Sequence, residues 1–374
     1  MKYRLPIHRP EITKEDIGFV SKTLGDAQIS GRAPVVSEFE NAFATFVGLK
    51  HAVAVSSGTA ALHVALLACG VSRGDRVVQP CLTMMATAFA ASYIGAGILP
   101  VDVEQDYWCI DQTQIPDAMK GKPKAIIAVH LYGNPARVDE IGEIARSRGT
   151  FLIEDCAEAL GARLNDKQVG TFGDVAAFSF FSNKLITTGE GGMIATNNEE
   201  IAAQARRFRD LCFGKTNKFL HDGLGYNYRM SAMQASLGLS QLGRVEDLIR
   251  RKSKVAEEYN RELSGMGIER HPERPNSFTL PWMYSILVPR TSRTNNLRDH
   301  VMQDLTDSGI ETRPFFVPLH RQPVYAQEME GLRFPVSEDL SSRGINLPSS
   351  LDLRENEISA VATTLKSSIR TRLG

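Results

Sequence analysis

Lys184 stands inside FSFFSNKLITTGEGG, residues 178–192, an apolar and aromatic run that otherwise reads as a buried strand leading into a glycine-rich turn. A lysine stays in such a place only when something pairs with it or reacts with it, because an isolated ammonium is costly to take out of water. Two other stretches carry groups that suit such an amine. IEDCAEA, residues 153–159, ends an apolar strand with Glu154 and Asp155, and ligands of open parallel sheets bind at the carboxyl ends of strands. SSGTAALHVAL, residues 56–66, follows a strand and opens a helix. Its small residues allow close backbone approach, and the unpaired amides of a first helical turn attract phosphate. Each stretch also has a plainer reading: Lys184 can snorkel to a salt bridge, Asp155 can cap the next helix, and the small residues can form an ordinary cap. Together, an amine able to form a Schiff base, a strand-end carboxylate and a phosphate cradle match the chemistry of pyridoxal phosphate (PLP).

Groups so far apart in the chain need a sheet to bring them together. Short apolar runs at 51–57, 75–80, 97–103, 124–130, 150–156, 174–181 and 191–197 read as strands. Between them TAALHVALLACG, MMATAFAASYIG and VDEIGEIARSR place apolar residues at spacings of three and four, which predicts helices. This alternation predicts an α/β fold with a mostly parallel sheet covered on both faces. Past residue 198 helical text dominates, interrupted at FGKTNKFLHDGLGYNYRMS; VEDLIRRKSKVAEEYNRELSG reads as a long amphipathic helix, WMYSILVP as a strand, and 296–308 and 353–370 as helices. The division expected is a large unit, residues 1–245, and a smaller C-terminal α+β unit, residues 246–374.

Lys plus Arg and Asp plus Glu are both 43 in the 374 residues, so no basic excess favours nucleic acid or anionic lipid. No run approaches the roughly 18 apolar residues of a membrane span, and the start carries charges and prolines where a signal peptide needs an apolar core. A cytoplasmic protein without membrane insertion is expected. Five scattered cysteines and eight histidines lack metal-site spacing, so neither a disulfide framework nor a metal is expected.

SSGTAALHVALLA, VHLYG, IEDCAEALGA, GTFGDVAAFSFFSNK, TTGEGGM, GYNYRMS, ETRPFFVPLH and RGINLPS, in this order over essentially the whole chain, resemble blocks of the DegT/DnrJ/EryC1 sugar aminotransferases of the aspartate aminotransferase superfamily. The resemblance implies a PLP-dependent transferase of fold type I. It makes Lys184 the residue that holds PLP covalently as an internal aldimine and then moves the proton between C4′ and the substrate carbon. Asp155 resembles the partner of the pyridine nitrogen, and Glu158 the residue beside the 3′ hydroxyl. Gly58, Thr59 and Ser179 resemble phosphate ligands, as does Asn227 reaching from the neighbouring subunit of a homodimer with shared active sites. Met84 stands where relatives usually carry a ring that stacks on the pyridine, a role a thioether can serve. Ser30, Arg313 and His320 match substrate-facing positions, Arg313 being suited to a diphosphate; His320 reads equally as a packed loop histidine. Relatives that remove a sugar hydroxyl carry histidine in place of the lysine, so Lys184 argues against dehydration.

The activity implied is transfer of the amino group of L-glutamate to a ketone on a nucleotide-linked sugar. The text around Lys184 is most similar to that of members acting on C4 of GDP-4-dehydro-6-deoxy-D-mannose to make GDP-perosamine. A UDP- or dTDP-linked keto sugar would use the same cofactor residues. Two other classes are a PLP-binding regulator without turnover and an NAD-linked oxidoreductase; the intact set Asp155, Lys184 and Asn227 argues against the first, and the lack of GxGxxG after the first strand against the second.

Overall fold

The computed structural model describes residues 3–214, 216–217, 219–292 and 296–373. Seven strands form the main sheet, in the order His51–Val55, Gly192–Thr196, Val175–Ser179, Phe151–Asp155, Ala125–Val129, Arg76–Pro80, Gly97–Val101. Gly192–Thr196 runs antiparallel to both of its neighbours, and the other pairs are parallel. The fold is therefore the expected α/β type, and the seven apolar runs are its seven strands, each trimmed at one or both ends. Ala125–Val129 and Gly192–Thr196 are buried at every position. Helices cover both of their faces, which is why these strands are apolar throughout instead of alternating.

Helices Gly58–Ala68, Met85–Ile94 and Val138–Arg148 follow the first, second and fourth strands in sequence. Gly95 and Gly149 end the latter two in the left-handed conformation that favours glycine. Among the helices not expected from the sequence, which include the short Ile115–Ala118 and Pro335–Arg343, Lys14–Gly25 and Pro34–Val47 both pack against Ala232–Leu242. Asp16, wholly buried, anchors the first of them by accepting from both Arg244 guanidinium nitrogens, at 2.7 and 2.9 Å, and from the Ser240 hydroxyl.

A second, antiparallel sheet has the order Glu269–Arg270, Tyr284–Leu287, Gly344–Leu347, Arg313–Pro314. Its core takes in the helices Val245–Glu262, Leu297–Asp307 and Glu355–Leu373. Leu5 joins that core and bridges to Ile310, so the N-terminal segment crosses to the later part of the chain. Among the described residues no helix is long and apolar enough to cross a membrane.

The amphipathic helix Val245–Glu262 buries Lys252 beside Val255 and Tyr259. Its ammonium donates to the Ser349 carbonyl, and burial pushes its pKa down to about 7. The penalty for holding this charge is complete below pH ~7. It is relieved as the pH rises toward the unfolded lysine's value of about 10.4, because over that window the unfolded chain binds a proton that the native chain lacks. Stability should therefore climb between pH 7 and 9, and Lys252→Met should remove about 1–3 kcal/mol of that climb. Urea unfolding at the two pH values measures it, and an unchanged slope in the variant would assign the effect elsewhere.

Candidate active site

A cavity of about 300 Å³ opens at the carboxyl ends of the parallel strands and is closed on its far side by Trp282, Arg313 and Phe316 from the later part of the chain. Such a volume suits a small ligand. Eight of the residues singled out in the sequence line it: Gly58, Thr59, Met84, Asp155, Glu158, Ser179, Lys184 and Arg313.

Lys184 follows the strand Val175–Ser179 in a turn, where its backbone N–H donates to the Phe181 carbonyl at 2.9 Å. Its amine lies 4.0 Å from Glu158 Oε1 and 3.7 Å from the centroid of the Trp282 ring. Burial lowers the amine's pKa, opposed by the nearby Glu158 and Asp155 carboxylates.

Asp155 closes its strand with both oxygens engaged: the Thr87 hydroxyl donates to Oδ2 at 2.9 Å and the Ala157 N–H to Oδ1 at 3.1 Å. Burial raises its pKa, while those two donors and the Lys184 amine oppose the rise. Successive strand residues face opposite sides, so Glu154 points away from the cavity. There it accepts N–H groups from Gly170, Phe172 and Gly173 and faces His130 Nε2 at 3.1 Å. Ala136 N–H donates to His130 Nδ1, which leaves the ring proton on Nε2 for Glu154. Of the two adjacent carboxylates, one organises a loop and the other faces the ligand. Glu158 Oε2 accepts the Tyr132 N–H at 2.8 Å; burial raises its pKa, with Lys184 and this N–H opposing.

At the other end of the cavity Ser57 caps the helix Gly58–Ala68 by accepting the Ala60 N–H. A Cβ on Gly58 would fall 2.9 Å from that of Ser179, so a glycine is what lets the helix start approach the Ser179 hydroxyl. Amides of a first turn beside a hydroxyl suit a phosphate. Asn183 Oδ1, buried and without a hydrogen-bond partner, also borders the cavity and offers an acceptor to a ligand. An anion cradle at one end and an amine between carboxylates at the other fit a phosphorylated aromatic aldehyde, which is what PLP is.

Met84, half exposed, is the N-cap of Met85–Ile94 and borders the cavity. Ser30, Asn227 and His320 lie outside its lining. Ser30 and Asn227 are both exposed, and their segments adjoin: a Cβ on Gly31 would meet the Met230 carbonyl at 2.7 Å, and Arg32 and Arg229 both pair with Asp210. His320 is buried, with Nδ1 3.3 Å from Cys81 Sγ and Nε2 2.8 Å from Glu338 Oε1. Thr87, Tyr132 and Trp282 belong to the site and escaped the sequence reading. VHLYG was visible as a block, but without a role for its tyrosine.

Comparison with known proteins agrees with this chemistry. The chain is 41% identical to the GDP-perosamine synthase of Escherichia coli O157:H7, covering 96% of each chain. It is 36% identical to the GDP-perosamine synthase of Vibrio cholerae, over 97% of this chain and 98% of the relative. Among solved structures, the aminotransferase from Psychrobacter cryohalolentis superposes with a TM-score of 0.90 at 26% identity, over 99% of this chain and 100% of that one. Residues 10–366 match the sequence profile of one family of PLP-dependent enzymes, and the chain belongs to it: the DegT/DnrJ/EryC1/StrS aminotransferase family.

Proposed function

We propose that this PLP-dependent sugar aminotransferase moves the amino group of L-glutamate to the C4 ketone of GDP-4-dehydro-6-deoxy-D-mannose, giving GDP-perosamine and 2-oxoglutarate. The observation that carries the reaction type is the convergence of Lys184, Asp155 and Glu158 in one buried cavity whose rim holds Arg313. The choice of sugar rests on the relatives named GDP-perosamine synthase, which match along nearly their whole length.

When bound, PLP supplies an electron sink for the bond electrons released as a proton leaves the carbon next to nitrogen. In this reading Lys184 holds the cofactor and, once free, its Nζ carries that proton. Burial lowers its pKa, which is the direction a proton carrier needs. Asp155, steadied by Thr87 and Ala157, keeps a negative charge against the pyridine nitrogen. Gly58, Thr59 and Ser179 would take the phosphate, and Met84 would offer its thioether to the ring. Glu158 would serve the 3′ hydroxyl, while Arg313 would receive the substrate's diphosphate with Ser30 as a further contact. His320 acts from outside the cavity by tying Cys81, at the end of the second strand, to Glu338. Residue 245 divides the unit that carries these cofactor groups from the smaller unit that covers them. The working form is a homodimer in which Asn227 serves the partner's phosphate.

Asp155→Asn should slow both half-reactions by more than tenfold, about 1.4 kcal/mol of barrier, with little loss of cofactor. Its amide removes the charge but leaves the phosphate contacts in place. Single-turnover rates with glutamate and with keto sugar decide this; a smaller change would sink the electronic role of the carboxylate. Mass and proton-coupling analysis of the product formed from GDP-4-dehydro-6-deoxy-D-mannose and glutamate tests the function as a whole. A UDP- or dTDP-linked keto sugar turned over in its place would overturn the choice of substrate while leaving the transamination intact.

A further inference from the structure

We propose that the indole face of Trp282 is the seat of the free Lys184 ammonium, which makes Trp282 a positioning residue for proton transfer. The proposal rests on the reading of Lys184 as the cofactor lysine. A lysine that must bond to a cofactor, let go and then carry a proton needs a place to wait within reach. The carboxylate nearest to it does not provide one, since Glu158 Oε1 at 4.0 Å is beyond hydrogen-bond distance and its partner oxygen already accepts the Tyr132 N–H. The indole does, with its centroid 3.7 Å from Nζ, inside the range over which an aromatic face attracts a cation, and tryptophan has the strongest such face.

The ring is held as a platform. Its Nε1–H donates to the Asn183 carbonyl at 2.9 Å, and its backbone N–H to the Tyr132 carbonyl at 3.2 Å. Its plane lies within 12° of the Tyr132 ring, which is itself stacked on Phe316. Tyr132 therefore fixes both neighbours of the amine: its N–H orients Glu158 and its carbonyl and ring orient Trp282. The Asn183 bond also ties the turn carrying Lys184 directly to the later part of the chain. A π face suits a waiting amine better than a salt bridge would, because its attraction is moderate and imposes no hydrogen bond that must break before the amine moves.

Fluorinated tryptophans test this, since ring fluorines withdraw electron density and weaken cation binding while keeping the ring's shape and its Nε1–H. The chain has two tryptophans, Trp108 and Trp282, so the series is made in the parent protein and repeated in Trp282→Phe, where only Trp108 takes the label. Protein freed of cofactor is mixed with PLP across a pH range, and the initial rise of long-wavelength absorbance reports the unprotonated Lys184 amine, with Lys184→Ala as the blank. Weakening the face destabilises the ammonium, so the midpoint should fall stepwise, by about one pH unit at full fluorination, with no trend in Trp282→Phe. A midpoint that stays constant in labelled, normally melting parent protein overturns the role of Trp282. A full absorbance rise in Lys184→Ala overturns the underlying assignment of Lys184 instead.

Discussion

Lys184→Ala is expected to lose transamination by on the order of a thousandfold or more, the scale of a positioned acid–base group that, as proposed for Lys184, is also the covalent anchor. It should keep its fold and much of its affinity for PLP. The side chain is 11% exposed and makes no hydrogen bond that holds its turn; the backbone bond to Phe181 does that and survives the substitution. Gly58, Thr59 and Ser179, the proposed phosphate ligands, are equally untouched. Loss of the ammonium also removes the charge that opposes protonation of Glu158, so the vacated region becomes less polar and a small primary amine in the buffer has room to enter. The expected result is a protein of unchanged melting temperature that retains PLP without the long-wavelength band and recovers part of its rate with added methylamine. Turnover near the parent rate would show that another group does the chemistry.

The main sheet was legible because its strands are buried on both faces: a run such as AIIAV, bounded by polar residues, can be little else in a chain whose intervening segments have helical spacing. The helices Lys14–Gly25 and Pro34–Val47 were not, although each carries a start signal, the first a capping box closed by Asp16 and the second a proline in its first turn. An aspartate at that third position is a weaker cue than the usual Glu or Gln.

Within the site, the groups legible in sequence were those whose chemistry is anomalous where they stand, a lysine in an apolar run and carboxylates at a strand end. Strand alternation meant that Glu154 and Asp155 could not both face the ligand, but only the fold tells which one does. Trp282 and Tyr132 escaped for a different reason. Neither is unusual for its local surroundings, and their significance arises from contacts between distant parts of the chain, the Trp282 N–H on the Tyr132 carbonyl and the indole over Lys184. Such pairings leave no trace in composition or periodicity.

A mixing experiment reaches an assignment that no single variant can, because Asn227 has a bland account and a functional one. An asparagine in a Gly-rich turn can serve only its own backbone, and here its backbone bridges to Asp210 while the residue stays exposed and outside the lining of its own chain's cavity. That placement is what a residue serving a neighbour's phosphate requires. Let Lys184→Ala and Asn227→Ala proteins, each nearly inactive, be mixed under conditions that exchange subunits. In a mixed dimer, the site built on the Lys184→Ala chain also receives the altered residue 227 and is doubly impaired, whereas the opposite site receives an intact lysine and an intact asparagine. Random reassortment makes about half of the dimers mixed, with one of two sites restored in each, so activity should rise to roughly one quarter of the parent value for a closed two-fold dimer. Were both residues to serve one site from one chain, every site would keep a defect and mixing would restore nothing. Native mass measurement establishes that mixed dimers have formed, and their formation without any recovery would return Asn227 to the status of a turn residue.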